Sequence, residues 1–155
     1  MTDRDPESRS CRLIVGYGNT LRGDDGVGVR VAEEVEAWNL PCVRAIACHQ
    51  LMPELAEAVA EASRVLFVDA AVDSPRELRL RPLQAAESSQ LLAHAADPRI
   101  LLAIARDVYG HCPPAAWLTI PIETTPFSDQ LSTTARRGYD LALDQVRQWL
   151  ASGGD

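Results

Sequence analysis

Apolar residues follow two rhythms that alternate along almost the whole chain. Apolar runs at Cys11–Gly16 and Val65–Asp69 have the length and content of buried strands, and Cys42–Cys48 and Ala116–Ile120 read as two further strands. Between them apolar residues recur at helical spacing. Val27, Val31, Val35 and Trp38 make one stripe, and Leu55, Val59 and Ala62 make a second behind a first-turn Pro53. Ile100, Leu101, Ile104, Ala105 and Val108 follow Asp97-Pro98 and end at Gly110. Leu131, Ala135, Ala142, Val146 and Trp149 line a last helix that stops before Gly153-Gly154. Pro41 separates the first helix from the second strand. Glu77 to Leu83 alternates strictly, which predicts a strand with one wet face at a sheet edge.

The order βαβαβ, an alternating strand, then αβα predicts an α/β fold. It is a single three-layer domain over 11–151: a mostly parallel, twisted five-stranded sheet with helices on both faces. Residues 1–10 are expected to be a flexible tail and 152–155 another. In such open sheets ligands bind beyond the carboxyl ends of the strands. The loops of interest are therefore Tyr17–Asp25, His49–Met52, Ala70–Ser74 and the one after Ile120.

The first of these loops reads Gly16-Tyr-Gly-Asn-Thr-Leu-Arg-Gly-Asp-Asp-Gly-Val-Gly28. A dinucleotide fingerprint would need a third glycine where Leu21 stands, and bare amides where Asp24 and Asp25 stand. Two acids amid glycines at a strand–helix junction suit a hard or borderline cation; they also suit capping of the following helix. Asp69 ends an apolar strand facing the same crevice, where a carboxylate is costly to desolvate unless paired or bound to metal. Asp25 and Asp69 together with His94 would give two carboxylates and an imidazole, a set able to hold a divalent first-row metal with positions left open. No Gly-x-Ser-x-Gly elbow or His-Glu-x-x-His helix is present, so a covalent nucleophile is not expected.

Composition narrows the picture further. The 155 residues carry a net charge of −7, which argues against a nucleic-acid footprint. No run approaches the length of a membrane span, and Met1 to Ser10 has no signal-peptide core. Cys11, Cys42, Cys48 and Cys112 form no C-x-x-C pair. Cys11 and Cys42 read as small buried hydrophobes in a reduced, cytoplasmic protein.

From Leu13 onward the chain resembles the hydrogenase maturation proteases. The segment Gly16-x-Gly18-Asn19-x-Leu21-x-x-Asp24-Asp25-Gly26-x-Gly28 carries most of that likeness and is highly specific to the family. His49-Gln50-Leu51-x-Pro53-Glu54-Leu55, Val68-Asp69-Ala70, His94 before a helix ending Tyr109-Gly110, and Phe127-x-x-x-Leu131-Ser132 follow in order. The resemblance implies a five-stranded sheet sandwiched by helices. It also implies an endopeptidase that removes the C-terminal extension of a [NiFe] hydrogenase large-subunit precursor. Nickel, already seated in that precursor, would be read by Asp25, Asp69 and His94, which would be both metal-contacting and catalytic residues. Gly16, Gly18, Asn19, Asp24, Gly26 and His49 would shape the loop and the substrate contacts. Many relatives carry Glu where this chain has Asp25, so the ligand here is one methylene shorter. The protein itself is expected to be isolated largely metal-free and to act as a monomer, without nucleic acid or membrane. A nickel-binding chaperone or sensor using the same residues is the alternative.

Overall fold

The computed structural model describes residues 11–72, 77–87, 97–123 and 129–152. The expected tail at 1–10 lies outside the described residues, and so does that at 152–155 except for Ser152, which is the C-cap of α4. Five strands and four helices run in the order β1 (Arg12–Tyr17), α1 (Val27–Ala37), β2 (Val43–Cys48), α2 (Leu55–Glu61), β3 (Arg64–Ala71), β4 (Arg79–Leu83), α3 (Pro98–Tyr109), β5 (Ala115–Pro121) and α4 (Thr133–Ala151). The sheet order is β2-β1-β3-β5-β4, with every pair parallel except the antiparallel β4–β5 edge. The alternating segment is therefore the edge strand it was expected to be. Its apolar face is wetter than expected, because Leu80 is 38% exposed.

Alternation along each strand divides the core in two. Leu13, Val15, Tyr17, Val65 and Phe67 face α2 and α3, while Ile14, Leu66, Val68, Leu118 and Ile120 face α1 and α4. Asp97 accepts from the Arg99 amide at 2.9 Å and caps α3; Gly110 closes that helix in the left-handed conformation at φ 80°. Val108, assigned by spacing to the buried stripe of α3, is 66% exposed; the last turn presents the neighbouring Tyr109 to the core instead. Leu131 precedes α4 instead of lying in it, and Ser132 is the cap, its hydroxyl accepting from the Ala135 amide at 3.1 Å. At the far end of α4, Arg12 donates to the Leu150 carbonyl and Arg64 to the Trp149 carbonyl. Two cations on the strand starts thus satisfy a helix C-terminus.

One close contact sets the position of everything at the carboxyl ends. A side chain on Gly16 would meet the Gly28 carbonyl oxygen at 2.0 Å, and one on Gly28 would meet the Val68 carbonyl at 2.5 Å. Helix α1 therefore starts directly on the seam between β1 and β3, closer than any other residue type permits.

Candidate functional site

The sheet parts where the chain changes direction. Pairing of β1 with β3 ends at Gly16–Val68, but β1 continues beside β2 to Tyr17–Cys48, and β3 continues beside β5 to Ala71–Pro121. The order β2-β1-β3 makes this seam the topological switch point, where open α/β sheets bind their ligands. Asp69 lies inside β3, paired with Thr119, and the strand runs two residues beyond it. The expectation that the strand stops at this acid is thus corrected, since pairing with β5 and the Ile122 amide bond to the Ala71 carbonyl carry it on.

Asp69 stands at the opening of that seam. Its Oδ2 accepts from the Tyr17 hydroxyl at 3.2 Å. Burial pushes its pKa up to about 6; bonds from Tyr17 and from the Ala70 amide oppose the rise, and the negative charge of Asp25 adds to it. The Tyr17 phenol is pushed well above its ordinary range, first by burial and then by the Asp69 carboxylate. It therefore stays a proton donor to Asp69 at any physiological pH. Asp97 and Trp117 also act on the Tyr17 hydroxyl, which places the N-terminus of α3 on this side of the crevice.

The two acids of the first loop do different work. Asp24 is fully buried, and its Oδ1 accepts from the Ser132 amide at 2.7 Å. Its Oδ2 accepts from the Ser132 hydroxyl at 2.5 Å and from the Glu123 amide at 3.0 Å. With those bonds filled it has little left to offer a ligand. Asp25 is only half-buried, and its Oδ2 accepts from the Asn19 amide at 2.8 Å. Asn19 Oδ1 in turn accepts from the Leu21 amide at 3.0 Å, bracing the turn. Neither acid caps a helix: the short 3-10 turn Gly23–Gly26 and α1 both begin without a side-chain cap. Gly18, at φ 145°, lets this loop fold back, because a β-carbon there would strike the Asp25 carbonyl oxygen at 2.0 Å. Gly26 packs as closely on Thr20, whose α-carbon would lie 2.7 Å from an added β-carbon.

Among the expected site residues the fold brings Asp25 and Asp69 near enough for one charge to act on the other. His49 is exposed directly after β2, at the same end of the sheet, followed by the buried Leu51. His94 lies outside the described residues, three positions before the Asp97 cap. Among the described residues no three His, Cys, Asp or Glu side chains gather as a metal site. Spacing did not reveal Tyr17 as a partner of Asp69; the signal was its place as the first residue after the buried run. A hollow of about 700 Å³ lies one strand over, lined by Arg81, Leu83, Asp97, Ile100 and Trp117. It adjoins the seam through Asp97 and Trp117, although it does not contain the two acids. Arg81 lies over the Trp117 ring, 5.4 Å from its centroid.

No protein-family model matches the chain, and no curated protein does. Solved structures match over nearly its full length. The hydrogenase-maturating endopeptidase HybD of E. coli is 23% identical with a TM-score of 0.69, covering 93% of this chain and 94% of its own. The hydrogenase 2 maturation peptidase of Thaumarchaeota archaeon SCGC_AB-539-E09 is 23% identical with a TM-score of 0.67, covering 91% of this chain and 98% of its own. The [NiFe] hydrogenase maturation protease HycI of Thermococcus kodakarensis KOD1 is 20% identical with a TM-score of 0.68, covering 90% and 91%. The chain thus has the fold of the solved hydrogenase maturation peptidases. No described helix is long and apolar enough to cross a membrane.

Proposed function

We propose that this chain is the endopeptidase that trims the C-terminal extension from a nickel-loaded [NiFe] hydrogenase large-subunit precursor. The observation that carries the reading is the meeting of Asp25 and Asp69 at the β1–β3 switch point, in a fold shared with solved hydrogenase maturation peptidases. Nickel is part of the substrate. The protein offers an incomplete donor set: the carboxylates of Asp25 and Asp69 and the imidazole of His94. The precursor brings the metal and the remaining ligands, so recognition and cargo inspection are one event.

Asp69 is the pivotal side chain in this reading. Tyr17 orients it, and although burial raises its pKa to about 6, it is still largely ionised and able to contact a cation at neutral pH. Nickel carried by the precursor would be held by Asp25, Asp69 and His94, and a divalent ion there would supply polarisation of the scissile carbonyl and a more acidic water. Hydrolysis adds that water across the peptide bond, and the neighbouring carboxylate accepts its proton. Asp24 holds the wall of the crevice and Asp25 faces into it. The hollow beside Trp117 gives room for the polypeptide flanking the scissile bond.

The test is incubation of the purified chain with nickel-loaded and nickel-free precursor. Shortening of the loaded form alone supports the reading. Nickel-dependent binding without shortening would instead make the chain a nickel-binding chaperone or sensor.

A further inference from the structure

At the opposite end of the sheet from this site, two cysteines lie side by side. Cys11 and Cys42 immediately precede the paired residues Arg12 and Val43, and the Arg12 amide donates to the Cys42 carbonyl at 3.0 Å. Adjacent strands lie about 4.8 Å apart, inside the span of α-carbons that a disulfide joins. Both residues belong to the face that carries Leu13, and both line one cavity of about 240 Å³ with Arg44, Ala58 and Glu61. The two thiols are within hydrogen-bonding reach of each other, and burial raises the pKa of Cys11. Cys42 is exposed and Cys11 half-buried, which corrects the expectation that they are inert core residues. Cys42 also takes φ 57°, a conformation that a side chain rarely adopts outside Asn and Gly. A turn that needs only that backbone would be better served by glycine.

We propose that Cys11 and Cys42 are a redox-active dithiol that closes reversibly to a disulfide, taking a small-molecule disulfide such as oxidised glutathione as its co-substrate. The exposed Cys42 thiolate attacks a sulfur of the oxidant, and one glutathione thiolate leaves. The Cys11 thiolate then attacks Cys42 in the mixed disulfide and expels the second glutathione. Two protein thiols lose two electrons and two protons, and the small disulfide is reduced to two thiols. An accessible attacking cysteine beside a sheltered resolving one is the arrangement that redox-sensing proteins use. Cys48 and Cys112 are each half-buried and face no such partner among the described residues, and burial raises both thiols. The bond would tie the start of β1 to the start of β2 and leave the carboxyl-end crevice alone. The inference is therefore independent of the peptidase reading.

The native chain is equilibrated with oxidised glutathione, quenched in acid and alkylated, and its peptides are mapped by mass spectrometry. Cys11 and Cys42 are expected to escape alkylation together as one cross-linked peptide pair, restored by dithiothreitol, with the melting temperature raised by several degrees. Cys11→Ser should stall at a glutathione adduct on Cys42, because its resolving thiol is gone. Two results would overturn the proposal: a wild-type chain that keeps both thiols open to alkylation, or one that holds a stable glutathione adduct on Cys42 without closing.

Discussion

The Tyr17 hydroxyl donates to Asp69 Oδ2 at 3.2 Å across the gap where β1 and β3 separate. This bond favours the ionised acid against the burial that would neutralise it. Tyr17→Phe deletes the donor and keeps the ring. The Asp69 pKa should then climb further above about 6, and the acidic limb of precursor cleavage should move to higher pH. A pH profile of cleavage for both proteins checks this, and an unmoved limb would remove Asp69 from the rate-limiting ionisation.

Asp69 also carries a trade between stability and activity. Its folded-state pKa is raised above the ordinary carboxylate value, so the fold prefers its protonated form. Below pH 4 the group is protonated in both states and is neutral towards folding; as pH rises to about 6 its ionisation in the buried site costs progressively more, up to about 3 kcal/mol above it. Asp69→Asn should raise the melting temperature at pH 7.5 and add nothing at pH 4. Cleavage of nickel-loaded precursor should fall by at least about 10–100-fold, the loss that even an outer partner of a metal site brings. A destabilised variant at neutral pH would contradict the burial argument.

Adjacent acids should separate cleanly under mutation. Asp24→Asn leaves some of the Ser132 and Glu123 donors without an anion. Bonds to charged groups contribute about 1.5–3 kcal/mol each, so this variant should melt many degrees lower. Asp25→Asn should melt like the parent and fail to process the precursor. Calorimetry paired with the cleavage assay decides between these roles, and equal loss of stability in both would end the division of labour.

His94 and His49 compete for the third donor position. His94→Ala should abolish nickel-dependent cleavage with the circular dichroism spectrum unchanged. His49→Ala, altering an exposed residue after β2, should only slow it. The reverse pattern would assign the imidazole to His49.

Much of this was readable from residues alone, and the exceptions have a common cause. Continuous apolar runs gave β1, β3 and β5 because burial on both faces leaves little room for polar alternation, whereas β2, at the open edge of the sheet, is at most half-buried and carries the exposed Arg44. The edge position of β4 was equally plain, since Arg79 and Arg81 alternate with Leu80 and Leu83 is followed by Gln84. What periodicity could not resolve was the use of individual polar atoms. Asp24 and Asp25 are the same residue in adjacent places, and only the return of Ser132, 108 positions later, distinguishes the tether from the acid left half-buried. The Tyr17–Asp69 bond likewise depends on where two ladders end, which no local pattern encodes. Cys42 misled for a related reason: its strand starts one residue later, and the turn before it lifts the thiol to the surface.

Asp24 grips Glu123 and Ser132 at once, so the chain departs from and returns to a single carboxylate. Whatever the intervening stretch does, its two feet are clamped at a fixed spacing beside Asp25. Under the proposed function, a graft from a solved hydrogenase maturation peptidase, spliced between those two feet, should alter which precursor is accepted while the acids at the seam keep their places.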